Sequence, residues 1–99
     1  MTDDELSAGV LTYLQKGRAA SPRADEEACA AAAVGREPVL LVMEVKGLVE
    51  ESLAISIDWD STSLGDAGRR VAAEMQARHP ELSPEAVDAL AWNFTFVWR

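Results

Sequence analysis

The side chains from which catalysis is usually built are nearly absent from this chain, which has one histidine, His79, and one cysteine, Cys29, in 99 residues. His79 follows Arg78 and precedes Pro80 at a predicted helix end, where an imidazolium complements the negative end of the helix dipole. Helix capping is therefore its expected role, rather than acid–base catalysis. Cys29 lies in the alanine-rich run Ala28 to Ala33 with no base beside it, so it reads as a small buried apolar residue and not as a nucleophile. Being the single cysteine, it makes no intrachain disulfide.

Carboxylates are the one abundant reactive type, 17 against 9 lysines and arginines, for a formal charge of −8. Asp58, Asp60 and Thr62 alternate like the first ligands of a calcium loop. Such a loop needs glycine at its sixth position and a bidentate glutamate at its twelfth, where this chain has Ser63 and Arg69. The pairs Glu50/Glu51 and Asp58/Asp60 have the composition of a two-carboxylate hydrolase. That chemistry also needs a cleft with perturbed ionisation, and small alanine-rich helices leave little room for one. The acidic stretch Ser52 to Asp66 is similar to the junction of the second and third helices in acyl carrier proteins. It lacks their attachment serine in an Asp-Ser-Leu setting and has Thr62-Ser63-Leu64 instead, so no carrier function is assigned. No catalytic residue, metal site or cofactor is expected, and the chain is read as not an enzyme.

Helical signals recur along the chain. Thr2 with Glu5 has the form of a capping box, and Leu6, Val10, Tyr13 and Leu14 then make one apolar stripe that ends before Gly17. Ser21-Pro22, followed by Asp25, Glu26 and Glu27, opens a second helix through the alanines to Gly35. From Pro38, residues Leu41, Val42, Val45, Leu48, Val49 and Leu53 share a helical face, although the β-branched residues and Gly47 also allow a strand over 39–46. Leu53 to Trp59 alternates with the period of a half-buried strand. Ser63 caps a helix carrying Leu64, Ala67, Val71 and Met75 that closes at His79-Pro80, and Ser83-Pro84-Glu85 opens a last one with Val87, Leu90, Ala91 and Phe94 inside. Over 92–98 a continued helix places Trp98 inward with Trp92 and Phe96 outward, whereas a strand places all the aromatics on one side. The expected fold is one domain over 1–99, mainly α, a bundle of four to five short helices with a short extended segment near 53–59. The alternative is a two-layer α+β domain with strands near 39–46, 53–59 and 92–98.

A charge of −8 opposes nonspecific attraction to nucleic acid or anionic membrane and favours a partner with a basic surface. The opening Thr2-Asp3-Asp4-Glu5 carries neither a basic leader nor an apolar span, so a cytoplasmic location is expected. Three tryptophans, with Phe94 and Phe96 near two of them, supply aromatic anchors. The expected function is a small acidic protein-binding module, an inhibitor or immunity-type protein being one concrete version. Its candidate partner-binding residues are Glu50, Glu51, Asp58, Trp59, Asp60, Trp92 and Phe96. The rival is a small enzyme or ligand-binding domain with a tryptophan-lined pocket and polar contacts from Asp58, Asp60 or His79. A structural homodimer packed through the alanine-rich helix is the third reading.

Overall fold

Four short polar side chains, Asp3, Asp25, Ser63 and Ser83, cap helices in this protein and fix where those helices begin. A computed structural model describes residues 2–99 and contains five helices: α1 (Asp4–Leu14), α2 (Glu26–Ala31), α3 (Pro38–Leu53), α4 (Leu64–Arg78) and α5 (Pro84–Trp98). Ser63 accepts the Asp66 amide at 3.1 Å and Ser83 accepts the Ala86 amide at 3.2 Å, as the sequence predicts. Each such cap contributes about 1 kcal/mol by satisfying an amide that the first helical turn leaves open.

The first two helices start later than their sequence signals suggest. Asp3, not Thr2, caps α1 by accepting the Leu6 amide at 3.0 Å, and Glu5 turns away to the loop before α3. Asp25, not Ser21, caps α2 by accepting the Ala28 amide at 2.9 Å. The reason lies at the end of α1, where the carbonyls of Leu14 and Tyr13 take the amides of Arg23 (3.1 Å) and Asp25 (2.8 Å) and hold 23–25 out of the helix. Helix α1 itself stops before Gly17, because Gln15 adopts a left-handed φ of 57° and its side chain donates to Asp25. Helix α2 ends at Ala31 rather than at Gly35, since the amides of Val34, Gly35 and Arg36 all turn toward the Glu5 carboxylate.

Residues 39–46 and 92–98 are helical throughout, and no strand occurs among the described residues. The two-layer α+β alternative is thereby overturned. Pro38 starts α3 with its preset φ, and no breaker interrupts the path from Ala91 to Trp98, so the helical period prevails over β propensity in both. The stretch 55–58 is neither helix nor paired strand. It nevertheless keeps the predicted alternation, with Ile55 and Ile57 half-buried and Ser56 and Asp58 exposed.

Helix α5 packs against α4, α1 and α3, while α1 also packs against α2 and α3, so α1 and α5 form the centre. Val10, Leu14, Leu41, Val45, Val71, Met75, Leu90 and Phe94 are fully buried between them. Gly9 lets α1 approach α3 closely, since a Cβ there would lie 3.0 Å from Val45 Cγ2 and 3.1 Å from Leu41 Cδ1. A radius of gyration of 13.0 Å matches the roughly 13 Å of a compact chain this long. The alanine-rich α2 is occupied within the chain by α1 and α3, and Cys29 is buried there. Burial, with Glu26 adding to it, pushes the Cys29 thiol up to about 11, so it stays protonated near neutrality. Among the described residues no helix is long and apolar enough to cross a membrane.

Candidate functional site

Ion pairing inside the chain divides the acidic residues into engaged and free. Arg36 bonds Asp3, Glu5 (2.6 Å) and Glu44 (3.0 Å), tying the start of α1 to α3. Glu5 Oε2 also accepts the amides of Val34, Gly35 (2.7 Å) and Arg36 (3.3 Å). The Val34 amide first, and then the Arg36 guanidinium, hold the Glu5 carboxyl down at about 2. This cluster is an internal clasp that the sequence analysis missed. A glutamate near the chain start and an arginine 31 positions later carry no local pattern that links them.

Of the predicted site residues, Glu51 is engaged as well. Its carboxylate meets Arg78 at 3.1 Å and His79 Nε2 at 2.8 Å, joining the end of α3 to the end of α4. Burial pushes its carboxyl up, but the hydrogen bonds from His79 and Arg78 outweigh burial and hold it below the ordinary carboxylate range. His79 closes α4 through its amide bond to the Met75 carbonyl, at 2.8 Å, while its side chain faces Glu51 and, at 3.4 Å, Glu81.

Glu50, Asp58 and Asp60 are exposed and make no ion pair among the described residues. Asp58 shapes a turn by accepting the Asp60 amide at 3.2 Å and the Ser61 hydroxyl at 2.9 Å, and that turn carries Trp59 outward. Trp59 stacks on Phe94 with centroids 6.2 Å apart and planes 10° apart, and Trp98 leans on both at 5.8 and 6.1 Å. These spacings fall in the range where aromatic pairs attract beyond simple burial. Phe94 is fully buried, yet Trp59 and Trp98 remain 40% and 52% exposed, so the cluster joins the core to the surface.

Trp92 and Phe96 lie elsewhere. Four residues apart, they share another face of α5, where Lys16 sits 5.3 Å over the Trp92 ring and Arg99 4.6 Å over the Phe96 ring. The seven predicted residues therefore do not form one patch. Asp58, Trp59 and Asp60 stand together and acquire Trp98, which sequence reasoning left off the site. Trp98 follows Phe94 by one helical turn, and that spacing was the signal for it.

A groove of about 280 Å³ opens beside this cluster, lined by Leu53 to Ile57 on one side and by Trp59, Phe94 and Trp98 on the other. Asp58 and Asp60 flank Trp59 in sequence but do not line the groove, and His79 lines a different depression together with Glu51 and Glu81. The polar contacts expected for a tryptophan-walled ligand pocket are thus absent from the groove. Further exposed apolar side chains, Val34, Val39, Leu40 and Met43, lie just before and at the start of α3. Among the described residues, no group of three or more histidine, cysteine or acidic side chains is arranged to hold a metal ion. Comparison with protein-family models, with curated proteins and with solved structures finds no match to this chain.

Proposed function

We propose that this protein is a small, acidic, non-catalytic protein-binding module that engages a basic partner through the groove at the end of α5. One observation carries the reading. Two half-exposed tryptophans, anchored on the buried Phe94, stand beside carboxylates at 58 and 60 that make no ion pair among the described residues. Tryptophans held in place by a core lose little freedom on binding, and unpaired surface charge of one sign raises the rate of encounter with the opposite sign. An inhibitor or immunity-type protein, laid over the cationic site of a toxin or nuclease, is the concrete form of this function.

Random peptides displayed on phage and selected against the immobilised protein test the reading. The expected outcome is enrichment of sequences that combine lysine or arginine with a large apolar residue, with binding that weakens as salt rises. Enrichment of neutral or acidic sequences, or binding indifferent to salt, overturns it.

A further inference from the structure

We propose that residues 54–58 act as a receptor strand, pairing through their backbone with an extended, lysine- or arginine-bearing segment of the partner that lies in the adjoining groove. The inference rests on the protein-binding reading above and specifies how the partner is held. It starts from a mismatch between pattern and pairing. Ile55 and Ile57 turn inward while Ser56 and Asp58 face solvent, which is the side-chain pattern of a strand. Among the described residues, however, the amides of Ser56, Ile57 and Asp58 have no backbone partner, and neither do the carbonyls of Ile55, Ser56 and Ile57. A strand-like segment with open donors and acceptors is a template for another chain, and proteins normally cover or charge such an edge. Here the groove, walled by Trp59, Phe94 and Trp98, runs along it.

Open backbone groups and charge select the occupant. An extended segment needs to insert only alternate side chains, which matches β-augmentation, where backbone bonds supply affinity and alternate pockets supply choice. An apolar side chain enters against Trp59 and Trp98, and the neighbouring residues, directed outward, meet Asp58 and Asp60. Cations at those outward positions complement two carboxylates that make no ion pair among the described residues.

The test uses the intact protein and synthetic peptides alternating lysine with valine, set against the same peptide with glutamate in place of lysine. Two further lysine–valine peptides carry N-methyl groups on the amides of one edge or of the other. The expected result is that the lysine peptide binds, the glutamate peptide does not, and N-methylation weakens binding about tenfold on one edge and hardly at all on the other. In ¹⁵N spectra the Ile55 to Asp58 amides and the Trp59 and Trp98 indoles shift on binding. Equal tolerance of both methylated edges, or shifts confined to Val39, Leu40 and Met43, overturns the strand-pairing inference while leaving a charge-driven protein-binding role in place. Failure of the lysine peptide to outbind the glutamate peptide overturns both.

Discussion

Replacing Gly47 and Gly68 by alanine, one at a time, should raise stability at the first site and leave it unchanged or lower it at the second, although both glycines lie inside helices. Gly47 is in α3, and a Cβ built there meets nothing within 4 Å. Alanine then adds only its advantage in helix propensity, about 0.5 to 1 kcal/mol over glycine. Unfolding entropy near 2.1 cal/mol/K per residue makes about 0.2 kcal/mol/K for a chain of this length, so Gly47→Ala should raise Tm by about 3 to 5 °C. Gly68 is in α4, and its Cβ would lie 2.8 Å from the Thr95 Cγ2 methyl of α5. Thr95 cannot rotate freely, because its hydroxyl donates to the Trp92 carbonyl at 3.0 Å. Relieving the overlap means losing that bond, worth about 1 kcal/mol, or separating α4 from α5 at about 1 to 3 kcal/mol. The propensity gain is offset, and Gly68→Ala should be neutral or lower Tm by up to about 10 °C. Gly68→Ala combined with Thr95→Ser removes the offending methyl, keeps a hydroxyl, and should recover the loss. Thermal melts at 222 nm, with urea midpoints at unchanged slope, measure all three. A fall in Tm for Gly47→Ala, or equal responses at the two sites, would refute the helix assignment of α3 or the close packing of α4 on α5.

Acid should loosen the clasp at Glu5. Its carboxyl is held at about 2 against an ordinary 4.5, so the stability it contributes is complete above pH 4.5 and is lost as pH falls toward 2. Melts across that window should show a steep fall that is reduced in Glu5→Gln, and an unchanged profile in that variant would remove the clasp from the account. The acidic residues should also separate by role. Glu50→Gln, Asp58→Asn and Asp60→Asn combined should slow association with a selected cationic peptide about tenfold at low salt and leave Tm almost unchanged. Glu51→Gln, which breaks the pair with Arg78, should instead cost up to about 1 kcal/mol of stability with little effect on binding, as urea denaturation and stopped-flow mixing would show.

How much of the fold could be read in advance depended on how local each signal was. Ser63 and Ser83 were legible as caps because the amides they bind are three residues away and no distant group competes for them. Thr2 and Ser21 had comparable credentials and lost to Asp3 and Asp25, whose own amides are held by the Glu81 carbonyl at 2.6 Å and the Tyr13 carbonyl at 2.8 Å. The ambiguous segments 39–46 and 92–98 were undecided for a related reason. Valine and aromatic residues suit either period, and a strand needs a partner that only the folded chain can provide or withhold. Leu53 to Trp59 shows the same limit in reverse, since its alternation was correct as a burial pattern and wrong as a sign of a sheet.

The sequence by itself pointed to a mainly helical chain and determined where α4 and α5 begin, which faces of α4 and of α5 as far as Phe94 turn inward, and that the net charge is strongly negative. These depend on interactions within about one helical turn, or on charge, which needs no geometry. Only the tertiary structure decided that Glu51 is consumed by Arg78 and His79 while its neighbour Glu50 is not, that Trp59 meets Phe94 and Trp98, and that Trp92 and Phe96 belong to a different face. Adjacent residues on a helix point about 100° apart, so two glutamates side by side in sequence meet different neighbours. Which neighbours those are is set by helices packed from distant parts of the chain, and that information is absent from any local stretch of residues.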